Sequence, residues 1–386
     1  MRIGEGGGVS AASVVVTSYN YGRYLAAAIE SALDQTCPAE VIVVDDGSSD
    51  DSGQVIARYG RHLTPLLKEH GGQASAMNAG FRLSKGRVIV FLDSDDVLSP
   101  TAVERAVGVF HDPQVVKVHW PLWVIDEGGC RTGRVLRPVL SEGDCRDAVR
   151  REGPYGYTWP PTSGNAWART FLERVLPIPE AVYPANPDLY LCALAPLFGR
   201  IGTVQEAQAY WRDHGANASL REPFAFRLAA AVKREVHCLG VLRDRCRELG
   251  LDVDHAAWVD HAFWHRVHRA VRDIDPVIPP WEAFILVDAD EWATDEVVTG
   301  RRRVPFPERH GRYAGPPADD VTAVRELERL GDAGTRFAVF GWPAFWWLKH
   351  YTGLSDHLAT HARCLLMNDG LVVYDLKPEG RARRER

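Results

Sequence analysis

No stretch of this 386-residue chain is apolar for long enough to cross a bilayer. The opening M-R-I-G-E-G-G-G has no apolar core of the signal-peptide kind and reads as a flexible leader. Contact with a membrane surface stays open. The seven cysteines, Cys37, Cys130, Cys145, Cys192, Cys238, Cys246 and Cys364, fall without paired spacing. They exclude a disulfide frame or a zinc site and read as reduced thiols in a cytoplasmic protein. There is no excess of positive charge. Lys and Arg number 45 against 51 Asp and Glu, a formal charge of −6, with a sequence pI near 6.2. That balance argues against a nucleic-acid partner. Internal repeats and long low-complexity segments are absent too. What remains is ordinary for a globular chain, 46% hydrophobic and 25% charged. The length suggests two or three domains.

The most informative segment is V-I-V-F-L-D-S-D-D, residues 88–96. A short apolar run with the composition of a buried strand ends in Asp93, Asp95 and Asp96. Carboxylates this close repel one another unless something positive sits among them. A hard divalent cation, bridging to phosphate oxygens, meets that need, and a solvated acidic turn is the plain alternative. The flanks favour the first. S-V-V-V-T-S-Y-N (13–20) is a strand running into a polar turn, and a helical pattern follows with Leu25, Ile29 and Leu33 four apart. Residues 40–46 form a second strand ending in acids, then G-S-S-D-D. H-G-G-Q-A-S-A-M-N-A-G (70–80) is a glycine turn entering a small-residue helix. Strand and helix alternate, so the fold class is α/β with a parallel sheet and ligands at its carboxyl edge.

V-V-V-T-S-Y-N, V-I-V-V-D-D-G-S-S-D-D, Q-A-S-A-M-N-A-G and F-L-D-S-D-D, in this order, closely resemble the family 2 glycosyltransferases of GT-A (Rossmann-like) fold. The resemblance covers roughly the first hundred residues. It implies an inverting enzyme that moves a sugar from a nucleotide diphosphate donor, using Mg²⁺ or Mn²⁺. It implies that Thr17 and Tyr19 lie at the nucleotide base, Tyr19 as a stacking surface. Asp46 matches the acid that accepts from the base N–H, which suits uracil or thymine and hence a UDP- or dTDP-sugar. Asp95 and Asp96 match the metal motif, Asp96 as direct ligand and Asp95 nearer the sugar or ribose, with Asp93 as a buttress. Asn78 stands where a polar side chain faces the donor.

Y-G-Y-T-W-P-P-T-S-G-N-A-W-A-R (155–169) resembles the family's acceptor-side segment. Gly164 would permit a close approach to the donor sugar and Asn165 would hydrogen-bond a hydroxyl. Trp159 and Trp167 are stacking surfaces for a sugar or, more commonly, core tryptophans. Inverting transfer needs a general base. The matching segment is A-N-P-D-L-Y-L-C, where the family's usual acid is replaced by Asn186. Asp188, two residues on, is the one carboxylate there and becomes the candidate base. A helix-start residue after Pro187 is the alternative. A-Y-W-R-D-H-G-A-N-A-S (209–219) resembles the ending of the GT-A domain. It offers His214 to the metal or diphosphate and Arg212 to the leaving phosphates or sugar.

The expected organisation is a GT-A domain over 10–220, a helical connector over 221–278, a small Rossmann-like α/β domain over 279–376 and a disordered tail over 377–386. The third resembles a module appended to some bacterial family members, with F-W-W-L-K-H-Y as its mark. Its tryptophans are core, or a docking surface for the acceptor or for a second protomer in a homodimer. Asp288, Asp290 and Glu291 read as a solvated loop before they read as a ligand site. The expected partners are a nucleotide-sugar donor and a saccharide or small-molecule acceptor. The rival reading, from a different class, is a non-catalytic sugar-nucleotide or glycan-binding protein that kept the pocket and lost the base at Asn186.

Overall fold

The computed structural model describes residues 10–214, 223–292, 297–298 and 300–377. The leader, the G-A-N-A-S end of the 209–219 motif and the basic tail lie outside the described residues. The chain divides into two compact units. The first is Met1–Ser219 with Lys233–Val259, and the second is Leu220–Val232 with Asp260–Arg386. The segment 221–278, expected as a connector of its own, is therefore shared between the two units.

The first unit contains, in chain order, β1 (Ala12–Ser18), α1 (Gly22–Leu33), β2 (Glu40–Asp45), α2 (Ser52–Ala57), β3 (Thr64–Leu67), α3 (Gln73–Leu83), β4 (Val88–Asp93), β5 (Val97–Leu98) and α4 (Ala102–Val109). It continues through β6 (Val115–His119), β7 (Leu122–Ile125), β8 (Arg131–Leu136), α5 (Arg146–Glu152), β9 (Asn165–Ala168), α6 (Arg169–Val175), α7 (Asp188–Leu194), β10 (Arg200–Thr203) and β11 (Ala209–Arg212). Seven strands form one sheet in the order β10-β6-β9-β4-β1-β2-β3. β1 to β4 run parallel, while β9 is antiparallel to both β4 and β6. This is the α/β, GT-A-like sheet expected from the sequence. All seven residues of β1 are buried, as a central strand covered on both faces requires.

A smaller sheet, β5-β11-β7-β8, positions the site. β5 directly follows D-S-D-D and pairs antiparallel with β11, Tyr210 opposite Val97. Two residues further along, that register brings Arg212 opposite Asp95. The D-E-G-G turn closes the β7–β8 hairpin, as its composition suggests. The apolar stretch 115–125 forms two strands in different sheets, parted at Trp120-Pro121.

The helical stretch after Pro223 forms α8 (Phe224–Glu248), α9 (His255–His261) and α10 (Phe263–Ile274). α8 ends before Gly250, which has φ +70°. The histidines at 261, 265 and 268 fall on two helices. In the second unit three parallel strands, Arg301–Pro305, Ala283–Val287 and Phe337–Gly341, lie side by side. They match the expected Rossmann-like half. Leu371–Asp375 and Arg363–Met367 continue the sheet antiparallel. The helices Trp347–His350 and Thr352–His361 are parted at Tyr351, whose hydroxyl donates to the Pro317 carbonyl at 2.7 Å. Among the described residues no helix is long and apolar enough to cross a membrane, and all seven cysteines are free.

Candidate active site

The acids of D-S-D-D are held by three separate segments at the end of β4. The Asp93 N–H donates to Ser163 Oγ at 3.2 Å, and Gln73 Nε2 donates to Asp93 Oδ1 at 2.7 Å. Asp96 Oδ1 accepts the Arg212 N–H at 3.0 Å, and the Ser163 hydroxyl also reaches this carboxyl. Asp95 Oδ2 lies 3.2 Å from His214 Nε2. Asp95 is thus in contact with His214, while Asp96 is bonded to Arg212 and Ser163. The crowding has an electrostatic consequence. Burial, then the charges of Asp95 and Asp188, push Asp93 up to about 8. Burial, then Asp95 and Asp93, push Asp96 well above the usual carboxylate range.

The base-side residues meet at the ends of β1 and β2. Asp46 is 2% exposed. Its Oδ1 accepts from Lys68 Nζ at 2.5 Å and the Gly71 N–H at 3.1 Å. Its Oδ2 accepts from the Gly72 N–H at 2.7 Å and lies 2.9 Å from His70 Nδ1. The imidazole of His70 stacks on Tyr19, centroids 3.9 Å apart and planes 21° apart. One ring therefore covers both the stacking face and the acid that the sequence assigns to the nucleobase. Thr17 is buried on β1, opposite Asp93 of β4.

Asp188 opens α7 directly after Pro187. Burial raises its pKa, against the backbone N–H groups of the first turn and the cations Lys117 and Arg234. Gln73 ties this loop to the acid motif. Its Oε1 accepts the Asn186 N–H at 3.1 Å while its Nε2 holds Asp93. Asn186 is exposed with φ +56°, a conformation asparagine tolerates better than most residues. Gly72 has φ +89°, and a Cβ there would stand 2.7 Å from Pro184 Cα. Glycine is required for the 70–72 turn to pass this loop.

Four sequence assignments are corrected. Asn78 does not face the donor: its Nδ2 donates to the Ile178 carbonyl at 2.9 Å and to Glu180, and its Oδ1 accepts the Ile178 N–H at 2.9 Å. Asn165 is fully buried, and its Nδ2 donates to the carbonyls of Pro160, Pro161 and Thr162. Gly164 makes room for Pro160 and Leu122, which a Cβ would meet at 2.7 and 2.9 Å. Arg212 is 5% exposed and its guanidinium donates to the carbonyls of Asp95, Asp126 and Glu127. It braces the acid turn; it is not a solvent-facing phosphate cation. Trp159 is half-buried against Tyr155 and Tyr157, and Trp167 is a core residue stacked on Phe171.

Gln73, Ser163, Lys68 and His70 were missed. The H-G-G-Q run carries two of them, and its polar residues at a helix start were the available signal. No comparable signal marks Ser163 or Lys68.

Comparison with known proteins finds similarity to glycosyltransferases. The model of glycosyl transferase family 2 matches residues 13–148. An uncharacterized glycosyltransferase of Nostoc sp. is 39% identical over 213 residues, 53% of this chain and 65% of that protein. The chondroitin synthase of Pasteurella multocida is 40% identical over 102 residues, 25% of this chain and 11% of its own length. The chain spans under two thirds of the length of these relatives. Among solved structures, TarS of S. aureus (residues 1–349) in complex with UDP-GlcNAc is similar at 17% identity, covering 68% of this chain and 76% of that one, with a TM-score of 0.49. Residues 13–148 are thus similar to glycosyl transferase family 2.

Proposed function

We propose that the protein transfers a sugar, with inversion, from a UDP- or dTDP-sugar to a hydroxyl of a saccharide or small-molecule acceptor, and that it does so in the cytoplasm. One observation carries the reading. The candidate base and the acid motif bear on each other: Asp188 is one of the charges that push Asp93 up to about 8, and Gln73 bonds both loops. In this reading, chemistry at a diphosphate and proton removal from an acceptor adjoin at one carboxyl edge of the sheet.

In this reading the base of the donor stacks on Tyr19 and donates its N–H to Asp46, with Thr17 alongside. His70 yields both positions; its side chain is 52% exposed, so its displacement is cheap. Asp188 takes the proton of the acceptor hydroxyl as that oxygen bonds the anomeric carbon, on the face opposite the departing diphosphate. A divalent cation fits the donor set. Asp95, Asp96 and His214 offer hard oxygens and an imidazole to Mg²⁺ or Mn²⁺. Among the described residues no three His, Cys, Asp or Glu form a ready cage, and a cation that fills its shell with diphosphate oxygens needs none. Bound there, it would neutralise charge developing on the leaving group.

The test is a panel of nucleotide sugars with Mn²⁺ or EDTA, read as thermal stabilisation and as release of nucleoside diphosphate. A UDP- or dTDP-sugar should stabilise the protein, by roughly 2.7 kcal/mol at a hundredfold excess over Kd, and should be slowly hydrolysed. Stabilisation without release under any acceptor would favour the binding-protein reading. Neither effect with either nucleotide would remove both.

A further inference from the structure

Strand β6 reads V-V-K-V-H and is buried throughout. Its lysine, Lys117, is 0% exposed. The amine lies 3.2 Å from His119 Nδ1 and 3.4 Å from Tyr157 Oη. It sits over two rings, 5.0 Å from the centroid of Tyr157 and 5.5 Å from that of Trp167. His119 Nε2 donates to the Ser141 carbonyl at 2.8 Å, which leaves Nδ1 as an acceptor for Lys117. Tyr157 continues the chain, donating to the Cys192 carbonyl at 2.5 Å. Cys192 belongs to α7 and stands four residues after Asp188, on the same helix face.

A lysine in a closed apolar box is costly. Fold stability alone would be served as well by a leucine or methionine. The titratable groups around it say what it is set against. Besides His119 and Tyr157, these are Cys192 and Asp188 of α7 and Cys145 before α5. Asp188 in turn faces Lys117, Arg234 of α8 and Asp93 of β4.

We propose that Lys117 is a positioning residue for Asp188: strapped through Tyr157 to α7, it fixes where that carboxylate stands and lends it positive charge. The inference rests on Asp188 as general base. Lys117 meets neither donor nor acceptor. Burial pushes its pKa down, and Asp188 opposes that push. His119, driven to about 2 by burial and by Lys117, stays a neutral acceptor at working pH.

Lys117→Met removes the charge and keeps the length. The pH profile of kcat/KM for the acceptor, at saturating donor and Mn²⁺, should show its acidic limb displaced upward by about one unit or more. Turnover should fall more on the acidic side of the limb than on its plateau, while the donor KM stays within about twofold. A lysine that served only packing would lower the melting temperature and leave the limb in place, and that result overturns the proposal. If Lys117→Met does not fold, Tyr157→Phe decides. It keeps the ring and cuts the strap, so amides 188–192 should exchange faster and turnover should fall at unchanged donor KM. Wild-type exchange and turnover would refute the strap. Asp188→Asn, run in parallel, separates the two failures. Full turnover in that variant removes the base reading; lost turnover with an unmoved limb in Lys117→Met removes only this inference.

Discussion

Asp93→Asn should stabilise the metal-free protein at neutral pH, although it alters the acid motif. The carboxyl is pushed from an ordinary 3.8 up to about 8, first by burial and then by Asp95 and Asp188. A raised folded pKa means that ionisation is paid by the folded state. The associated stability is fully present below pH 3.8 and is lost as pH rises through 8. The slope is about 1.4 kcal/mol per unit, so roughly 4 kcal/mol is gone by pH 7. That is a ceiling, because Asp93 keeps some contact with solvent. The amide of asparagine retains an oxygen for Gln73 Nε2. A gain of about 2–4 kcal/mol follows, or roughly 5–10 °C in Tm for a unit of this size. Calorimetry in EDTA at pH 4, 6 and 8 measures it. The gain should be small at pH 4 and grow with pH. A loss of Tm, or a gain of equal size at pH 4 and 8, would refute the crowded-carboxylate account.

Two further substitutions test the framework. Gly72→Ala forces a side chain to φ +89° and to within 2.7 Å of Pro184 Cα. It should cost about 2–4 kcal/mol in urea unfolding, and an unchanged midpoint would show that the turn does not pass this close. Asp46→Ala strands the Gly71 and Gly72 N–H groups and Lys68, with a loss of about 3–5 kcal/mol. Wild-type stability with lost donor binding would instead mean that the carboxylate is free to read the base and ties nothing.

The parallel core and the strand-end acids were legible because both are written locally. Val14–Val16 and Val88–Leu92 are apolar without alternation, and each run ends in polar residues at the edge where ligands bind. Asn78, Gly164, Asn165 and Arg212 were not legible as braces. Each sits in a run that resembles a ligand-facing motif, and each spends its polar or steric capacity on carbonyls and prolines distant in sequence or hidden by a turn. Arg212 is the clearest case. The β5–β11 register that carries it to Asp95 is a long-range pairing that neither strand announces. Lys117 was hidden for the opposite reason: a lysine alternating with valines reads as the wet face of a strand, and here that face is the core. The break at Tyr351 between the helices Trp347–His350 and Thr352–His361 was not legible either, because the Tyr351 bond to Pro317 spans 34 residues.

The central claim is that Asp188 removes the acceptor proton in a sugar transfer. The most direct measurement compares wild type and Asp188→Asn for turnover of a stabilising UDP- or dTDP-sugar with Mn²⁺, with donor Kd measured on the same samples. The account predicts an unchanged Kd and turnover lowered by roughly 10²–10⁴-fold. Wild-type turnover in Asp188→Asn would contradict it, as would a variant whose whole defect is lost donor binding.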